Sequence, residues 1–173
     1  MKVVFLRAAN VGGKNVFRPT QLVKALADLD VVNIGAAGTF VIRERISVAA
    51  ARAAILEQLT FAPSMVIRPA AEIVALVESE PFRGARFSRD LRGWVAALER
   101  TPSPPPQVPL HAPNAAGWGM RLDRVDGIFA LGLWRRRPDG LAMPSNAIEK
   151  ALGVSATVRW WETFQRIAKV VGG

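Results

Sequence analysis

The chain predicts an α+β fold in two small lobes, and three observations carry that prediction. Through the first half, short apolar runs alternate with helical periodicity in the order β-α-β-β-α-β, that of a ferredoxin-like unit. In the second half, Asp126-Gly127 lies between two alternating runs, a strong hairpin signal. At the C-terminus, Trp161, Phe164, Ile167, Ala168 and Val171 recur at helical spacing and mark a docked amphipathic helix. The expected boundary places a ferredoxin-like lobe at 1–88 and a related α+β lobe, with a β-hairpin and the C-terminal helix, at 89–173.

Residues 2–7 open the chain as a strand, on the apolar run Val3-Val4-Phe5-Leu6. Pro19 suits a first helical position, and Leu22, Val23, Leu26 and Leu29 form one stripe of a helix over 19–29. Residues 31–34 and 39–43 read as strands joined by Gly35-Ala36-Ala37-Gly38. Ser47 caps a helix running to about residue 59. A strand over 64–68 and a helix over 70–80, stopped by Pro81, complete the first half.

In the second half, 92–98 reads as a strand. Residues 101–113 are proline-rich and are expected to be irregular, because proline lacks the donor that a ladder or helix needs. Residues 118–125 and 128–135 form the hairpin arms. Ser145 caps a helix over 146–152 that Gly153 ends, and 154–157 is a short extended piece before the last helix.

Composition narrows the chemistry. The 173 residues suffice for one ordinary domain or two small ones, and half are hydrophobic, so a packed core is expected. No apolar run reaches the roughly 20 residues of a membrane helix, and the opening is too short and too soon charged for a signal peptide. A cytoplasmic location and no membrane partner follow as expectations. There is no cysteine or tyrosine, and His111 is the single histidine. Thiolate catalysis and zinc–thiolate or multi-histidine metal sites are thereby excluded, no metal or other cofactor is expected, and acid–base chemistry falls to Asp, Glu and Lys.

The net charge of +9 and pI of about 11.3 attract polyanions. The cations are scattered, except for Arg135-Arg136-Arg137. That run reads as a solvated strand edge that discourages further pairing. His111, among prolines, is expected to face solvent.

The densest candidate site is Arg7-Ala8-Ala9-Asn10-Val11-Gly12-Gly13-Lys14-Asn15, directly after the first strand. Glycines let backbone N–H groups turn toward one point, and Arg7 and Lys14 beside them can hold an anion. It is not a P-loop: Asn15 follows the lysine, and the helix waits until Pro19. The competing reading is a tight turn with Asn10 and Asn15 bonding local backbone. In a ferredoxin-like sheet the third strand lies beside the first, which brings Gly38 and Thr39 next to Arg7. Phe5 and Phe40 sit on the strands whose aromatics stack bases in RNA-recognition sheets, but the rest of that signature is missing, and packing of this face on the second lobe is expected instead. Arg159-Trp160-Trp161 is a second dense patch, read as a core anchor in which one indole docks while the other is half exposed or covers Arg159.

Two segments carry a family resemblance. Leu6-Arg7-Ala8-Ala9-Asn10-Val11-Gly12-Gly13-Lys14-Asn15 resembles the opening Leu-Arg-Gly-Ile-Asn-Val-Gly-Gly-Lys-Asn of a bacterial family catalogued as domain of unknown function 1697. Ser145-Asn146, Glu149-Lys150-Ala151-Leu152-Gly153 and Ala156-Thr157-Val158-Arg159 are similar to its closing segment, so the resemblance spans essentially the whole chain.

It implies a small intracellular α+β protein and no established reaction. Arg7, Asn10, Gly12, Gly13 and Lys14 match the first motif, Gly38 the glycine of a Ser-Gly-Asn turn, and Arg159, Trp161 and Thr163 an Arg-Asn-Trp-Asn-Thr segment. The chain departs at Ala8, Ala37, Thr39, Trp160 and Glu162.

The expected ligand-binding set is therefore Arg7, Asn10, Gly12, Gly13, Lys14, Gly38 and Arg159. The favoured role is a binding protein for an anionic small molecule bearing phosphate or a nucleotide. The alternatives are an enzyme on such a substrate and nucleic-acid binding through diffuse charge. The sequence sets no oligomeric state.

Overall fold

The computed structural model describes residues 1–7, 17–138 and 145–173, without the side chains of 145–147. Among these residues the chain is α+β, with two sheets and five α-helices. Grouped by its contacts it forms two compact units, Met1–Pro81 with Glu162–Gly173, and Phe82–Trp161. The sequence expectation put the boundary near 88 and the last helix in the second lobe. The helix residues from Glu162 onward group instead with the first unit, through packing that periodicity alone does not reveal.

The first unit contains β1 (Lys2–Leu6), α1 (Pro19–Ala25), β2 (Val31–Gly35), β3 (Thr39–Ile42), α2 (Val48–Glu57), β4 (Met65–Pro69) and α3 (Ala70–Glu78). The strands pair antiparallel in the order β2-β3-β1-β4. Strand β1 is therefore interior, with Val3 to Leu6 all buried, which explains its unbroken apolar run. One sheet face presents Val4, Leu6, Phe40 and Ile42 to Leu22 of α1 and to Ala51 and Ile55 of α2. On the opposite face Phe5 stacks on Phe164 at 5.5 Å between ring centroids. Phe164 belongs to the C-terminal helix Trp161–Gly172, here α5 after α4 (Ser145–Leu152).

Local chemistry sets several element ends. The Ser47 side chain accepts from the Ala50 N–H at 3.0 Å, the expected N-cap of α2. Helix α1 stops four residues short of expectation. Leu26 leaves helical geometry, a 3-10 turn covers Ala27–Leu29, and Asp30 at φ 45° steers the chain into β2.

The second unit orders β6 (Leu110–Ala112), β7 (Met120–Asp126), β8 (Phe129–Arg135), β5 (Leu91–Leu98) and β9 (Ala156–Trp160) as β6-β7-β8-β5-β9, all antiparallel. Trp94, Ala96, Leu98, Met120, Leu122 and Ala130 form its core, with Ile148 and Leu152 of α4. Gly132 permits the tightest approach. A Cβ there would lie 1.9 Å from the Arg121 carbonyl oxygen and 2.6 Å from Trp94 Cζ2.

Three expectations change in this unit. The proline-rich segment contains β6, because the three residues between Pro109 and Pro113 keep their donors and need only one partner strand at the sheet edge. In the hairpin, Asp126 pairs with Phe129, so Gly127 (φ 56°) and Ile128 form the loop, one residue later than Asp126-Gly127. Finally, the extended piece expected to end at 157 continues to Trp160 along β5.

Candidate functional site

Three backbone segments meet at the end of β1. The Leu6 N–H donates to the Gly38 carbonyl and the Arg7 N–H to the Ser64 carbonyl, each at 2.8 Å. Gly38 stands at φ 71° between β2 and β3, and a Cβ on it would lie 2.9 Å from Leu6 Cβ. Left-handed backbone and close approach both require glycine there. Thr39 pairs with Phe5, so Gly38 and Thr39 flank the end of β1 and the half-buried Arg7 follows directly. Asn10, Gly12, Gly13 and Lys14 lie outside the described residues, so the Gly-Gly-Lys loop is represented by its anchors, Arg7 and Phe17.

Helix α2 adds a cation that sequence reasoning missed. Arg52 Nη2 donates to the Met65 carbonyl at 3.1 Å, one residue along from Ser64. It is the single polar side chain in Ala49-Ala50-Ala51-Arg52-Ala53-Ala54. Its isolation in an apolar helix is the one sequence signal that marks it, and it does not say which carbonyl the side chain reaches.

Beyond the loop, the Phe17 ring lies 6.2 Å from Phe40 and 6.3 Å from Phe61. Beside it a cleft of about 250 Å³ runs between α1 and the end of α2. Phe17, Leu22 and Leu59 give it an apolar floor, while Arg18, Gln21, Gln58 and Thr60 supply one cation, two carboxamides and a hydroxyl. An apolar base with a few convergent polar groups is the usual make-up of a small-molecule site, and the volume suits a fragment of a ligand.

Arg159 belongs to the second unit, on edge strand β9 opposite Val95. Its Nη1 donates to the Val158 carbonyl at 2.9 Å. Burial lowers its pKa to about 10, which leaves the guanidinium charged at neutral pH and poorly solvated.

Strand geometry bears on the other readings. Phe40 opposes Val4 and Phe5 opposes Thr39, so the two phenylalanines face opposite sides of the sheet and make no shared stacking platform. Trp160 ends β9 and Trp161 starts α5. Residues 159 and 160 thus point to opposite faces, Trp160 is half-buried, and Arg92 lies over it at 4.0 Å. Trp160 also meets Trp134 edge-on at 5.5 Å, and Trp161 is buried edge-on against Phe82 at 5.2 Å. His111 is half-buried on β6, its ring 6.4 Å from Trp118. The arginine run 135–137 leaves an interior strand rather than a sheet edge.

Among the described residues, no group of three or more His, Cys, Asp or Glu is placed to hold a metal ion. No helix among them is long and apolar enough to cross a membrane.

Comparison with known families matches residues 1–116 to the family described as "Protein of unknown function (DUF1697)". The C-terminal segments that resemble its closing motif fall outside the matched span. The fold is similar to that of a conserved bacterial protein from Streptococcus pneumoniae, at 16% identity and a TM-score of 0.59, covering 98% of this chain and 97% of that one. No curated protein matches.

Proposed function

The chain belongs to the DUF1697 family of proteins of unknown function, and from that premise we propose that it is a binding protein for an anionic small molecule, phosphate- or nucleotide-bearing, taken up at the loop that leaves β1. The observation that carries this reading is the convergence at the end of that strand. Gly38 and Ser64 fix the backbone of Leu6 and Arg7 from both sides, so the root of an arginine side chain is held where the chain enters the Gly12-Gly13-Lys14 segment. A fixed main chain at the arginine removes backbone ordering from the cost of pairing with an anion. Arg52 on α2 adds positive charge at the same strand end. The cleft at Phe17, Arg18 and Gln58 offers room for the ligand's uncharged part.

The first unit is read as ferredoxin-like, because its β-α-β-β-α-β order folds into a sheet ordered β4-β1-β3-β2. A cytoplasmic location is part of the same proposal.

Isothermal titration with nucleotides, sugar phosphates and inorganic phosphate tests it. Charge-assisted hydrogen bonds at the strand-one loop predict that Arg7→Ala combined with Lys14→Ala weakens binding by about tenfold or more. Equal affinity in the double variant overturns the site.

A further inference from the structure

The second unit carries a charged surface of different construction, at the end of its sheet where β5 and β7 begin and β8 and β9 finish. Arg89 and Arg136 share one carboxylate there, Asp90, at 3.7 and 3.6 Å. The Arg136 N–H also donates to the Asp90 carbonyl at 2.9 Å, which ties the start of β5 to the end of β8. The Arg89 side chain is 85% exposed. Two cations on one anion leave an uncompensated positive rim.

Each sheet face adjoining that rim carries a guanidinium layered on an indole. On one face Arg92 lies 4.0 Å over Trp160, which meets Trp134 edge-on. On the other, Arg135 lies 4.5 Å over Trp118 and donates Nη2 to its carbonyl at 3.0 Å. Both indoles are half-buried. Stacking holds each guanidinium plane in place, so little side-chain entropy remains to be lost when a ligand arrives.

We propose that this sheet end binds single-stranded nucleic acid, with the rim arginines on phosphates and the outer faces of the Arg–Trp layers as platforms for unpaired bases. Phosphate neutralisation supplies sequence-independent affinity, and arginine planes and aromatic rings are the surfaces on which unpaired bases stack. A duplex fits poorly. Reading it needs a helix or ribbon that enters a groove, whereas the protruding β7–β8 turn at Gly127 and Ile128 lies at the opposite end of these strands. The site lies within the contiguous second unit.

Anisotropy of a labelled oligothymidylate of about 15 nucleotides, with intrinsic tryptophan emission recorded in parallel, is the test. Emission reports on indoles alone, since the chain has five tryptophans and no tyrosine. The expected result is binding with tryptophan quenching and a log–log salt slope near −2, about −0.7 for each of three neutralised phosphates. Arg135→Ala with Arg136→Ala should weaken it by about tenfold or more and flatten the slope, with an unchanged circular dichroism spectrum showing that the variant is folded. Arg92→Lys with Arg135→Lys should keep the slope and lose affinity and quenching, because lysine keeps the charge without the stacked plane. The Arg7→Ala, Lys14→Ala pair should bind the oligonucleotide normally, which separates this site from the anion loop. No binding at low salt, full affinity in the alanine pair, or tighter binding of a matched duplex or of heparin would each overturn the proposal.

Discussion

The second unit is one continuous stretch, Phe82–Trp161, whereas the first joins Met1–Pro81 to Glu162–Gly173. Their charge differs as well. The second unit holds twelve of the 23 Lys and Arg and six of the 14 Asp and Glu, a net +6, which leaves eleven against eight, a net +3, for the first. The first unit is thus the less charged of the two and depends on a remote helix. In the second, Arg92 and Arg135 are layered on indoles. Local contiguity and surface charge go together here, and the function proposed for each unit follows that division: a small-ligand loop in the first, a polyanion rim in the second.

Three substitutions probe that contrast. Phe164→Ala removes the fully buried ring that stacks on Phe5, and should cost about 3–5 kcal/mol by denaturant titration. A loss below about 1 kcal/mol, far under the usual cost of emptying such a site, would show that the first unit does not need the helix. Gly132→Ala drives a Cβ into the Arg121 carbonyl and Trp94. It should cost about 3 kcal/mol and raise amide exchange across β7 and β8, sharpening the picture of a self-contained second sheet. Gly38→Ala imposes a side chain at φ 71° against Leu6. A loss of about 1–2 kcal/mol in thermal unfolding is expected, together with weaker anion binding if the strand end shapes the loop.

The legible parts of this fold were those governed by nearest neighbours. The unbroken run of β1, the Ser47 cap, the Gly153 stop at φ 63° and the stripe of α5 are local decisions, and the structure contains them all. What stayed hidden depends on distant partners. Strand β6 needs β7 to exist, and β9 extends to Trp160 because β5 offers it Trp94. The Arg92–Trp160 layer joins residues far apart in sequence, and nothing in the neighbourhood of either residue signals it. At the candidate site, Gly38 was found through strand order and Arg7 through its motif. Arg52 escaped because a helix interior gives no hint of which carbonyl its side chain will reach.

The stack of Phe5 on Phe164 also has a consequence for biosynthesis. A ribosome makes Phe5 well before its ring partner, with the whole second unit emerging between them. One face of the first unit's sheet must therefore wait, uncovered, until the helix that carries Phe164 has been made. A nascent chain arrested before Glu162 should accordingly recruit chaperones that recognise exposed aromatic surface, and release them once the final helix clears the exit tunnel.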